Sequence, residues 1–237
     1  MGFPGWKLPE RKIFVAATVA VSVAGAARRR PGVAATKPAA LAALAVTVAR
    51  GARHRSAPDN ALLSLAVGAS AAGDYFMYRE EFATGPDKDR SLQTGATLFG
   101  LAHLAYLGLL IRHGGVPTTR RLLPRLAVMN EVAVLVILHQ PRMLPVLGIY
   151  GGTLATMAAT AADPALLRGA DTDATRLLAA GGIAFMASDA ILMNRRYLLR
   201  GAVPRAIAEA TVLSTYFIAQ MLLLDGMDAL SRRSPGP

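Results

Sequence analysis

The sequence predicts an all-α protein, a polytopic helical bundle that spans a membrane about eight times. Of its 237 residues, 53% are hydrophobic and only 17% are charged, a balance that suits a lipid environment better than a soluble domain. The apolar residues gather into eight runs, at roughly 12–27, 36–50, 60–78, 91–111, 122–138, 143–162, 175–194 and 205–226. The loops between them are short and rich in Arg, Pro, Gly and Asp. These runs consume the chain, so residues 1–237 read as a single integral-membrane domain with nothing left for a soluble one.

The first run follows Lys7, Arg11 and Lys12 and ends in Gly25-Ala26-Ala27, the outline of a signal peptide. Three arginines directly after it, Arg28 to Arg30, argue against cleavage, and the run is read as the first span. Trp6 before it reads as an interfacial anchor. The second run (TKPAALAALAVTVARG) and the fifth (LLPRLAVMNEVAVLVILH) are the marginal spans, falling short of the twenty apolar residues that a bilayer asks for. The third and seventh each enclose an aspartate, Asp74 in LLSLAVGASAAGDYFMY and Asp189 in LLAAGGIAFMASDAILM, with no neighbouring basic residue in the stretch. The fourth, sixth and eighth carry His103, Tyr150 and Tyr216. Ala and Gly recur throughout, and such small residues let membrane helices approach closely.

A formal charge of +11 would suggest nucleic acid in a soluble protein. Here the arginine clusters, Arg28–Arg30, Arg120–Arg121, Arg195–Arg196 and Arg232–Arg233, all flank apolar runs, where they meet anionic headgroups. Membrane lipids are therefore the expected partner, and nucleic acid is not. Lys and Arg divide almost evenly between the two faces, so the positive-inside rule barely chooses. The sequence leans toward cytoplasmic termini in a bacterial plasma membrane. The absence of cysteine removes disulfides, thiolate nucleophiles and thiolate metal sites together.

Alternating helix directions assign each intramembrane polar residue a depth. Asp74 and Asp189 both fall about 8 to 9 Å inside the boundaries marked by Arg79 and Arg195, at 1.5 Å per residue. Lys37 opens the second run, Tyr150 comes early in the sixth and Glu209 early in the eighth, which puts them in the same half of the membrane. His103 and Tyr216 sit nearer the middle. Helical spacing aligns Gly95, Phe99, His103 and Tyr106 on one stripe of the fourth run, and Glu209, Leu213, Tyr216 and Gln220 on one stripe of the eighth. Ser70, Asp74 and Tyr78 share a face of the third. Any one stripe suits ordinary packing, but three converging on one layer predict a polar cavity. It should open on the face opposite the termini.

A carboxylate at a helix centre is disfavoured by roughly 2.5–3.5 kcal/mol on insertion scales, so two retained aspartates point to use. G-x-S-x-G, H-E-x-x-H and the glycine-rich nucleotide patterns are all missing. With one deep histidine and no cysteine, no transition-metal site and no cofactor are expected, although Asp74, Asp189 and Glu209 leave a carboxylate-rich site open. If Lys37 approached only one aspartate, its ammonium would divide the pair into an acid and a base, which suits hydrolysis through an oxocarbenium ion. Glu131 is left outside this set, and His54, His113 and His139 read as edge residues.

At these residues the chain resembles the YhhN-like lysoplasmalogenase family of eight-pass membrane hydrolases. The resemblance runs from Thr36-Lys37-Pro38 through Gly73-Asp74, Gly95-x3-Phe99-x3-His103-x2-Tyr106, Tyr150, and Phe185-x2-Ser188-Asp189 to Thr215-Tyr216-x3-Gln220. It implies cleavage of the vinyl ether of a lysophospholipid substrate to a fatty aldehyde and a glycerophospho-base. Asp74 and Asp189 would be catalytic, and Lys37, His103, Tyr150, Tyr216, Gln220 and Glu209 would line the site. The residues alone also admit a proton-coupled transporter, since intramembrane carboxylates and a histidine equally serve a proton relay.

Overall fold

The computed structural model of the protein describes residues 8–168 and 172–232. Trp6, Lys7 and Arg233 lie outside the described residues. Among the described residues eight α-helices follow one another: α1 Pro9–Ala26, α2 Arg30–Gly51, α3 Ala57–Phe82, α4 Gly85–Arg112, α5 Thr119–His139, α6 Leu144–Ala161, α7 Thr172–Tyr197 and α8 Ala202–Ser231. The described residues contain no strand. Proline at the first or second position starts five of the helices (Pro9, Pro31, Pro58, Pro86 and Pro145), where its missing N–H costs nothing and its fixed φ suits the helix. Ser56 caps α3, accepting a hydrogen bond from the backbone N–H of Asp59 at 3.3 Å. Gly85, Gly114 and Gly201 turn the chain with positive φ.

Every predicted run is helical, but six of the helices are long and apolar enough to cross a membrane: α2, α4, α5, α6, α7 and α8. The marginal second and fifth runs are among them. The two that fall short are α1, whose start holds Glu10, Arg11 and Lys12, and α3, where Asn60 and Asp74 dilute a run already rich in Gly and Ser. Both are nevertheless packed into the bundle, α1 against α2 and α8, and α3 closely against α4. By contrast, α2 touches α3 lightly, and α5 is peripheral, with only Met129 and Val136 buried.

Small residues set the closest helix crossings. On α7, a Cβ at Gly181 would stand 2.9 Å from the backbone nitrogen of Leu223 on α8, and one at Gly182 3.0 Å from the Cα of Ala158 on α6. The α6 run Leu154, Ala155, Met157, Ala158 and Ala159 is fully buried at the centre. Charged residues are sorted to the two ends. At the end holding the termini, Arg11 pairs with Asp225, Arg55 with Asp228, Arg50 with Glu10, and Arg112 and His113 with Asp59. At the other end, Glu80 meets Arg196 at 2.8 Å and Lys88 at 3.6 Å, and Arg195 pairs with Glu209. Successive helices thus alternate in direction, as the depth argument requires.

In the loop after α6, Asp163 accepts backbone N–H bonds from Val116 (2.7 Å) and Ala165 (3.0 Å) and pairs with Arg121 at 3.0 Å. Burial alone would raise its pKa, but these donors outweigh it and hold the carboxyl below its ordinary value. A depressed native pKa means that Asp163 stabilises the fold above the unfolded carboxyl pKa of about 3.9, and that this contribution is lost as pH falls through the lower native value. Asp163→Asn should therefore lower thermal stability at neutral pH, with the gap from wild type closing below about pH 4. A second comparison tests the crossings. Gly181→Ala should destabilise by about 1–3 kcal/mol because backbone cannot yield, whereas Gly68→Ala, whose Cβ meets nothing within 4 Å, should be neutral or slightly stabilising in detergent melts.

Candidate functional site

Asp74 is only 4% exposed, and each of its oxygens has a partner. The Lys37 ammonium from α2 lies 2.6 Å from Oδ1. The Tyr216 hydroxyl from α8 donates to Oδ2 at 2.6 Å. One turn along α8, Gln220 donates to Tyr216 Oη (3.2 Å) and to Ser70 Oγ (2.9 Å), and accepts from the Tyr106 hydroxyl of α4 at 2.9 Å. The three stripes expected on α3, α4 and α8 therefore meet in one hydrogen-bond chain, running from Tyr106 through Gln220 and Tyr216 to Asp74. Gly73 makes room beside it, since a Cβ there would come within 3.0 Å of the Phe99 ring.

Asp189 is half-buried on α7. Its neighbour Ser188 donates to the backbone carbonyl of Val212 at 3.0 Å, tying α7 to α8 at this depth. The Tyr150 hydroxyl of α6 donates to Asp189 Oδ2. No cation pairs with Asp189 among the described residues, so Lys37 serves Asp74 alone.

Both carboxylates line one cavity of about 100 Å³, with Lys37, Tyr150 and Tyr216 around them. Phe99, Phe185 and Tyr216, packed edge to face with centroids 5.5 to 6.4 Å apart, close its inner side. Its outer side carries Glu80, Glu81, Arg195 and Glu209, and a wider vestibule adds Arg28, Lys88 and Arg205. These residues lie at the end opposite the termini.

The remaining expected site residues take different places. Glu209 is at the mouth, paired with Arg195, so it does not join the aspartates as a third free carboxylate. The described residues bring no three potential metal ligands together. Gln220 lies behind Tyr216 as its support. His103 is fully buried one layer behind the cavity wall, its ring 4.7 Å from Phe185 and 5.2 Å from Tyr150, and neither ring nitrogen has a hydrogen-bond partner. It backs the Tyr150 ring. Sequence reasoning missed the ion pairs at the mouth. The run Arg79-Glu80-Glu81 marks a span's end, and nothing in it points to Arg196 across the bundle.

A buried ion pair is costly to break from one side only. Lys37→Met and Asp74→Leu should each destabilise by about 3–5 kcal/mol, and the double variant by clearly less than the sum. Additive losses in a detergent unfolding cycle would remove the coupling.

The model of the YhhN family matches residues 33–227, which include Lys37, Asp74, Asp189, Tyr216 and Gln220. No curated protein and no solved structure matches the chain. With the family's model covering most of its length and both aspartates inside the match, the protein belongs to the YhhN family.

Proposed function

We propose that the protein is an eight-pass membrane hydrolase that cleaves the vinyl ether of lysoplasmalogens, with Asp74 and Asp189 as its acid–base pair. One observation carries the reading: two carboxylates from separate helices line the same small cavity with unlike partners, an ammonium and a phenol for Asp74 and a phenol alone for Asp189. Neutralised by Lys37 inside the bundle, Asp74 no longer bars α3 from the membrane, and α1 crosses beside α2 and α8. The protein is placed by this reading in a bacterial plasma membrane with its termini in the cytoplasm.

In the mechanism, Asp189 is the carboxylic acid and Asp74 the carboxylate paired with Lys37. Asp189 gives its proton to the outer vinyl carbon, which leaves an oxocarbenium at the carbon bound to oxygen. Water attacks that carbon as its proton passes to Asp74, giving a hemiacetal. The hemiacetal collapses when Asp74 returns the proton to the ether oxygen and Asp189 takes the hydroxyl proton. Fatty aldehyde and glycerophospho-base leave, and both residues regain their starting states. The phosphate meets Arg28 and Arg205, exposed cations of the vestibule without ion-pair partners among the described residues, because Arg195 and Arg196 are engaged by Glu209 and Glu80.

Purified protein in detergent should release aldehyde from a lysoplasmalogen and none from its ester-linked analogue. A proton-coupled transporter built on the same carboxylates would need a sealed compartment and would release nothing. Asp189→Asn keeps an acceptor for the Tyr150 hydroxyl, so the fold should survive while turnover falls at least about a hundredfold. Wild-type turnover in that variant would remove Asp189 from the mechanism.

A further inference from the structure

A groove of about 720 Å³ opens between α2 and α3, the pair that touch only lightly. Its walls are apolar, formed by Leu41, Ala45 and Val48 on one side and Val67, Gly68 and Ala71 on the other. Val33, Lys37, Asp74 and Tyr78 line both this groove and the inner cavity, so the two are continuous at the carboxylate. The far end is closed by the α2–α3 turn, where Asn60 donates to the Ala52 carbonyl at 2.7 Å and accepts from Arg55 Nε at 2.9 Å.

We infer that this groove binds the single hydrocarbon chain of the lipid substrate, entering sideways from the membrane, with its headgroup end at Lys37 and Asp74. The choice of ligand rests on the hydrolase reading above. From Asp74 to Asn60 the groove runs about 21 Å at 1.5 Å per residue. An extended sixteen-carbon chain needs ~20 Å at about 1.3 Å advance per C–C bond, so a common lipid chain fills it to the closed end. A closed end and a polar head position set it apart from a face merely wetted by bulk lipid. A second groove, of about 490 Å³ between α5, α6 and α7, reaches Asp189 and Tyr150. It brings no counter-charge to the carboxylate.

Gly68 is the point of control, because it faces the groove and a Cβ there meets nothing within 4 Å. It lies six residues from Asp74, about 9 Å along the helix, or roughly seven chain carbons. Gly68→Phe should therefore lower kcat/KM at least about tenfold for a long-chain (about sixteen-carbon) lysoplasmalogen, while a short-chain (about six-carbon) analogue changes less than about twofold. Equal effects on both lengths would overturn the inference.

Cross-linking decides without turnover or the variant. A saturated alkyl-ether lysophospholipid with a mid-chain diazirine has no vinyl ether to hydrolyse, and in wild-type protein in nanodiscs it should label residues 41–52 and 60–71. Labelling centred on α5 and α6, equal labelling by a diazirine-bearing diacyl lipid, or loss of labelling as protein copies associate would assign the groove to another occupant and overturn the inference. The two readings separate cleanly. Groove labelling without aldehyde release supports the groove and removes the hydrolase, whereas aldehyde release with labelling elsewhere removes the groove alone.

Discussion

Everything in this bundle turns on keeping the Asp74 carboxylate partnered inside an apolar bundle. Its two oxygens take an ammonium from α2 and a phenol from α8, which fixes the depth of three helices at once. A charged side chain at a helix centre costs roughly 2.5–3.5 kcal/mol on insertion scales, and the pair offsets this only if both partners stay engaged. Lys37 therefore points inward, although its position at the edge of an apolar run would equally suit snorkelling toward the headgroups. Gln220 makes the arrangement rigid. Because it donates to Ser70 and Tyr216 and accepts from Tyr106, α3, α4 and α8 cannot slide past one another without breaking several buried hydrogen bonds.

The helices were legible because apolar runs and arginine-rich breaks mark where the chain enters and leaves lipid. Their ends were not. The helix α4 begins at Gly85, well before its apolar run, since Pro86, Asp87 and Lys88 suit a helical first turn that hydropathy does not record. Span and helix are different quantities, which is also why α1 and α3 are full members of the bundle yet fall short as isolated membrane segments. The polar layer could be read from alternation alone, because depth follows from counting residues at a fixed rise.

What the sequence withheld is which small residues touch and which leave space. Gly73 receives the Phe99 ring while Gly68, five positions earlier on the same helix, faces an open groove. Nothing local separates them; the groove left between α2 and α3 does. His103 shows the same limit, since its stripe was visible but its place behind Tyr150 depends on where α6 sits. Glu209 was placed correctly in depth, and only the fold reveals that Arg195 occupies it.

The division of polarity around the cavity gives the site its direction. Toward the end opposite the termini the walls are charged, and the vestibule mixes Arg28, Lys88 and Arg205 with Glu80 and Glu81. Toward the membrane centre, the aromatic cluster of Phe99, Phe185 and Tyr216 closes the way. Sideways, the α2–α3 groove is mostly apolar between its polar ends. A molecule with one charged end and one hydrocarbon end can satisfy all three boundaries in a single pose, head outward and tail between α2 and α3. In that pose the bond between head and tail lies beside Asp74, at the junction of groove and cavity. An ion or small polar solute would meet only the mouth and leave the groove without a role, so the joining of an apolar groove to a charged vestibule at a carboxylate favours an amphiphile as the ligand.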